Sequence, residues 1–160
     1  MIGDVRIEPA TLDDLPELTE LLFELFSQER DFIPNRENEM RGLRLLLEEP
    51  SRGRVFVLRG PLRIIGMINL LITISTAEGG FVLVLEDLIV HRDYRHQGFG
   101  TRLLEYAIDF AQKKNFFRIT LLTEKPDEEL KRFFVKNGFV ESNMIPMRMY
   151  FRENESGSGA

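Results

Sequence analysis

Hydrophobic positions change period along the chain, and each change marks an element. Residues 5–8 predict a short strand. From Thr11 the period lengthens: Leu15, Leu18, Leu22 and Leu25 recur at helical spacing and form one apolar stripe. Asp14, three residues after Thr11, fits a capping-box variant at that helix's start. Phe32-Ile33-Pro34-Asn35 breaks the pattern, and a second helix is predicted over 36–49 with Met40, Leu43, Leu46 and Leu47 inward. Residues 54–58, 64–75 and 81–90 read as strands. The turns Arg59-Gly60-Pro61-Leu62 and Glu78-Gly79-Gly80 join them into an antiparallel meander. A third helix is predicted over 100–114, a strand over 118–123, and a fourth helix over 127–137 capped by Gly138. Residues 147–152 read as a closing strand.

The order β-α-α-β-β-β-α-β-α-β predicts an α/β protein, α+β in some schemes. Its central sheet is mixed and mostly antiparallel, flanked by helices on both faces. Residues 81–90 are apolar on both alternations, which fits a central strand covered on both faces. No linker or repeat interrupts the chain, so a single domain is expected over 1–152, followed by a flexible polar tail over 153–160.

Composition narrows the function classes. The net charge is −5 with both signs interspersed, which argues against nucleic acid and is compatible with a small cationic substrate. There is no cysteine, so disulfides, thiolate metal sites and a cysteine nucleophile are excluded. The two histidines, His91 and His96, share one turn, and no metal is expected. No apolar stretch approaches about 18 residues, so no membrane span is expected. The start lacks a basic region and an apolar core, and a cytoplasmic location follows by default.

The chemistry concentrates in Leu85–Gly100, LEDLIVHRDYRHQGFG. Arg95-His96-Gln97-Gly98-Phe99-Gly100 links a strand to a helix. Glycine permits a sharp turn and close approach of a ligand, and the helix start offers free N–H groups to an anion. The plain alternative is a turn that binds nothing. A phosphate loop of the Gly-Lys-Ser/Thr type fails, because Thr101-Arg102 follows Gly100; a dinucleotide fingerprint fails, because Leu103 holds its third glycine position. Upstream, Glu86 and Asp87 interrupt the apolar run. Neighbours in a strand face opposite sides, so at least one of these acids must be paired, solvated or placed in a cavity.

Arg-x-x-Gly-x-Gly between a central strand and a helix resembles the GNAT superfamily of acyl-CoA-dependent N-acetyltransferases. Phe133-Phe134-Val135-Lys136-Asn137-Gly138-Phe139 is similar to the family's Phe-Tyr-x-x-x-Gly-Phe segment. The resemblance implies acetyl-CoA as co-substrate. Its diphosphate would lie on the N–H groups of His96, Gln97, Gly98, Phe99, Gly100 and Thr101, with Arg95 adding charge. Its pantetheine arm would pair with the backbone of Leu88, Ile89 and Val90. Leu85-Glu86-Asp87 resembles the matching segment of diamine acetyltransferases, which implies Glu86 as general base and Asp87 as substrate contact or support. Phe26 and Glu29, in the loop between the first two helices, would line the acceptor site with both acids.

Two positions depart from the family pattern. Phe134 stands where many members carry a proton-donating tyrosine, so it could only pack on the cofactor. Asp127 stands where an asparagine is frequent and is carried over as a weak cofactor contact. The expected activity is acetyl transfer to a small primary amine, such as a polyamine, a diamine or an amino-acid-like amine. The alternatives are a protein or peptide amino group as acceptor, or an acyl-CoA-binding module of little turnover. The family often dimerises, so a homodimer is compatible with this reading.

Overall fold

The computed structural model describes residues 3–29, 31–124 and 127–151. The chain divides into two compact units, Met1–Leu121 and Leu122–Ala160.

The first unit is built on five strands: β1 (Arg6–Pro9), β2 (Gly53–Arg59), β3 (Ile64–Ser75), β4 (Gly80–Val90) and β5 (Ile119–Leu121). They lie side by side in sequence order. The first three pairings are antiparallel and β4–β5 is parallel. The helices of this unit are α1 (Leu15–Gln28), α2 (Arg36–Glu48) and α3 (Phe99–Lys113).

Neighbouring residues of β2 show how the helices are distributed. Val55 and Val57 join the cluster formed by Leu15, Leu18, Leu21 and Leu22 of α1 and Leu43 of α2. Phe56 points the other way, with ring contacts to Tyr106 and Phe110 of α3 at 5.0 and 5.2 Å. Successive side chains of a strand alternate faces, so α1 and α2 cover one side of the sheet and α3 the other. β3 runs through the middle and is buried over most of its length. β4 has a neighbour on each side but lies second from the β5 edge.

The start of α1 is tied to the sheet through Arg59. Its guanidinium donates Nη1 and Nη2 to the two Asp14 carboxylate oxygens at 3.0 and 2.9 Å, and Nε to Glu8 at 2.9 Å. Asp14 also accepts the Thr11 N–H at 2.9 Å, which realises the capping contact expected there. Burial pushes the Asp14 carboxyl up, but the Arg59 fork and the Thr11 N–H outweigh it and hold the group below its usual range. The Asp14 contribution to stability is therefore present above about pH 4 and lost as pH falls through the depressed value. Arg59→Met is expected to cost about 2–3 kcal/mol in urea unfolding at neutral pH, because it leaves a mostly buried carboxylate unpaired. The deficit should shrink as pH falls through the depressed Asp14 value, below which the carboxyl is protonated in either protein.

The second unit contains α4 (Glu128–Lys136). Asp127 caps its start, accepting the Leu130 N–H at 2.8 Å. Gly138 follows its end at φ +99°, a left-handed turn that closes the helix. Phe134 is buried, in edge-to-face contact with Phe133 and Phe139 at 5.2 and 5.6 Å.

The closing strand expected over 147–152 is not formed among the described residues: 147–151 carry no ladder. Met147, Met149 and Phe151 alternate as a strand would, yet they and Tyr150 are all exposed. Alternation marks a half-buried strand only where a neighbouring strand completes a ladder, and no ladder joins 147–151 among the described residues. Arg152 and the tail expected over 153–160 lie outside the described residues.

Candidate active site

β4 leaves its parallel neighbour half-way along. Leu83, Val84 and Leu85 pair with Ile119, Thr120 and Leu121, and there the β4–β5 ladder ends. From Glu86 to Val90, within this unit, β4 is paired only with β3. The register on that side also shifts at the same place. Asn69 faces Asp87 and the next residue, Leu70, faces Leu85, so Glu86 is the extra residue of a β-bulge. One short stretch thus holds a lost ladder partner, a bulge and two acids.

The bulge separates the environments of the two acids. Glu86 is exposed. Asp87 keeps partial solvent access as a residue, but the protein packed around its carboxyl withdraws most of the water. Burial pushes Asp87 up to about 7; a hydrogen bond from Asn69 Nδ2 to Oδ2 at 2.7 Å partly opposes this, and the charges of Glu86 and Glu29 add to the rise. Glu29 is the residue after α1, its N–H on the Phe26 carbonyl at 3.4 Å. The structure therefore brings Glu86, Asp87 and Glu29 into one electrostatic group. Phe26 packs onto the apolar core and against Phe32, ring centroids 5.1 Å apart. Arg30, in the same loop, lies outside the described residues.

Beyond Val90 the chain makes a short turn and enters α3. His96 and Gly98 both have left-handed backbone, at φ +61° and +85°. Gly98 occupies the capping position of α3, and no side chain caps the helix. The first helical bond runs from the Arg102 N–H to the Gly98 carbonyl at 3.1 Å. The N–H groups of Phe99, Gly100 and Thr101 precede it and lie outside the helical ladder. A Cβ built on Gly98 meets nothing within 4 Å, so the backbone at Gly98 itself is uncrowded. Uncapped N–H groups, an uncrowded Gly98 and a strand segment beyond the β4–β5 ladder leading to them fit a diphosphate joined to an amide-bearing arm.

Arg95 is placed differently from expectation. Its Nε donates to the Val90 carbonyl at 2.9 Å and its Nη2 to Glu24 of α1 at 3.1 Å, so it straps the turn to the first helix. The Val90 carbonyl, one of the groups expected to meet an arm, accepts that bond. A groove of about 930 Å³ opens beside this strap, lined by Glu20, Glu24 and Ser27 of α1 with Arg63, His91 and Arg95; Glu86 and Asp87 are not part of it. Asp127 and Phe134 belong to the second unit, the one as a helix cap and the other within a phenylalanine cluster. Asn69 was missed by the sequence reading. The only signal was one amide in the apolar run 64–72 of β3.

The description "Acetyltransferase (GNAT) family" matches residues 15–139. Streptothricin acetyltransferase A of Bacillus subtilis (strain 168) is 35% identical over 69 residues, which cover 43% of this chain and 39% of that relative. The uncharacterized N-acetyltransferase YhfO of the same organism is 28% identical over 120 residues, covering 73% of this chain and 80% of the relative. The crystal structure of a possible acetyltransferase from Clostridium difficile 630 superposes with a TM-score of 0.79 at 20% identity, over 94% of this chain and 97% of that one, and so shares the fold. No helix among the described residues is long and apolar enough to cross a membrane. With a family match spanning most of its length, the chain belongs to the acetyltransferase (GNAT) family and is an acyltransferase.

Proposed function

We propose that the chain transfers an acetyl group from acetyl-CoA to the primary amine of a small cationic molecule, a polyamine, a diamine or an amino-acid-like amine. The reading is carried by one observation: β4 loses its parallel neighbour at the position where it bulges and presents Glu86 and Asp87. The acyl donor, when bound, supplies an activated thioester. The chain's own groups hold, orient and deprotonate. The N–H groups of Phe99, Gly100 and Thr101, with those of His96, Gln97 and Gly98 ahead of them, would hold the diphosphate. The backbone of Leu88 and Ile89 would meet the arm.

The two acids exchange the roles that resemblance implies. An amine of pKa near 10 is protonated at neutral pH and cannot attack until it loses that proton. Asp87, at about 7, is a stronger base than an ordinary carboxylate and still partly ionised at neutral pH, so it takes the proton. Glu86, exposed at the bulge, receives the ammonium, and the charge of Glu29 adds to the attraction.

The test is stabilisation followed by turnover. Acetyl-CoA at 100 times its dissociation constant is expected to add about 2.7 kcal/mol to stability, seen as a rise in Tm absent with ATP or NAD. Release of free thiol with a panel of amines then identifies the acceptor. No shift with any coenzyme A species would end the reading. A second reading, an acyl-CoA-binding module of little turnover, draws on Phe134, which has no hydroxyl to offer a departing thiolate. A Tm shift with no thiol release from any amine would favour it.

A further inference from the structure

We infer that Asn69 is a positioning residue whose amide holds the Asp87 carboxyl in both of its protonation states, donating from Nδ2 to the carboxylate and, after a half-turn of the amide, accepting the acid's proton on Oδ1. In its catalytic meaning this rests on the proposed function, since it assigns Asp87 a proton to take up and release. The contact itself does not.

Three observations meet here. Asn69 is 2% exposed in the middle of β3, among isoleucine, methionine and leucine neighbours. Its Nδ2 lies 2.7 Å from Asp87 Oδ2. Its Oδ1 is fully buried and has no hydrogen-bond partner. A residue that served only to fill the strand would be apolar, because a buried acceptor without a donor is costly. Oδ1 and Nδ2 share one carbon, so the orphaned acceptor sits beside the same carboxyl. A carboxylate only accepts, whereas a carboxylic acid also donates one proton; a side-chain amide is the neutral group able to answer both. The pairing is fixed by the backbone, since Asn69 and Asp87 are the last partners before the bulge.

The charged groups acting on Asp87 are Glu86 on its own strand and Glu29 after α1, both of which favour the protonated form. The Asn69 hydrogen bond opposes them and favours the ionised form. Its bond to the carboxylate keeps the base available near neutral pH. Its carbonyl gives the captured proton a partner that does not compete with the ammonium.

The experiment follows the carboxyl carbon of Asp87 and the side-chain amide of Asn69 by NMR, in the intact chain labelled with carbon-13 and nitrogen-15. The two signals are expected to move with one midpoint. An Asn69 amide that stays still while Asp87 titrates overturns the inference. In Asn69→Leu, of similar volume and without hydrogen bonds, the Asp87 midpoint is expected to rise by about one pH unit. The ionised fraction at pH 7 then drops from about one half to about one tenth, so kcat/KM falls about fivefold and recovers near pH 9. A loss equal at every pH, or an unmoved midpoint, overturns the inference. If the leucine variant does not fold, the wild-type titration decides. If the wild-type chain acetylates no amine, the proposed function fails while the NMR result still reads the Asn69–Asp87 pair.

Discussion

Asp87→Asn is expected to lower kcat/KM by about 10²–10⁴-fold, the usual worth of a positioned base. The rise in Tm with acetyl-CoA should persist, because the change leaves the helix start of α3 untouched. The same substitution should stabilise the protein at alkaline pH. The folded-state value of about 7 exceeds the ordinary 3.8, so the folded chain binds more protons than the unfolded chain between these values. Stability therefore declines as pH rises from about 4 to about 7, then levels off. A neutral asparagine removes the slope and should gain about 1–3 kcal/mol at pH 8 with none at pH 4. Glu86→Gln provides the contrast: a raised KM for the amine with a smaller loss of kcat. An Asp87→Asn enzyme of full activity, or one whose Tm falls at pH 8, would return the base to Glu86 or to another group.

Gly98→Val is expected to weaken acetyl-CoA binding at least about tenfold, which cuts the stabilisation at the same concentration from about 2.7 to about 1.4 kcal/mol or less, while the unliganded fold loses about 1–2 kcal/mol. The cause is backbone conformation rather than collision. Gly98 has φ +85° and a Cβ there meets nothing within 4 Å, so the first side-chain carbon meets no obstacle while the dihedral angle disfavours a β-branched residue. Relaxing that angle would turn the N–H groups ahead of Arg102 away from the open side. Gly98→Asn is the control, because asparagine visits the left-handed region readily and should keep most of the binding. Equal loss in both variants would point to steric blockage and away from backbone geometry. A thermal shift with and without acetyl-CoA separates the cases.

Legibility in the sequence followed how local each signal is. The elements before residue 140 could be read because hydrophobic period, caps and turns are written over a few neighbouring residues. Gly98 could be read as a special backbone position for the same reason. The bulge could not. Whether Glu86 or Asp87 is the extra residue depends on β3, since one residue's slip exchanges the faces of both acids. Exposure of Glu86 and burial of the Asp87 carboxyl follow from that register, not from the pair of letters. Asn69 went unread, because a single amide in β3 takes its meaning only from the residue across the strand. The bond from Arg95 to Glu24 could not be read, because the two are 71 positions apart. The alternation at 147–151 described a strand in want of a ladder, and sequence alone does not supply one.

The start of α3 carries one more consequence. Its outward donors are main-chain groups, so they do not depend on which side chains surround them. Drift at Gln97, Phe99 or Thr101 leaves every donor in place, and among the ordinary amino acids proline alone deletes one outright. A recognition surface of this kind is inherited through the angles of the chain, and lineages can diverge widely around it while the shape at Gly98 endures.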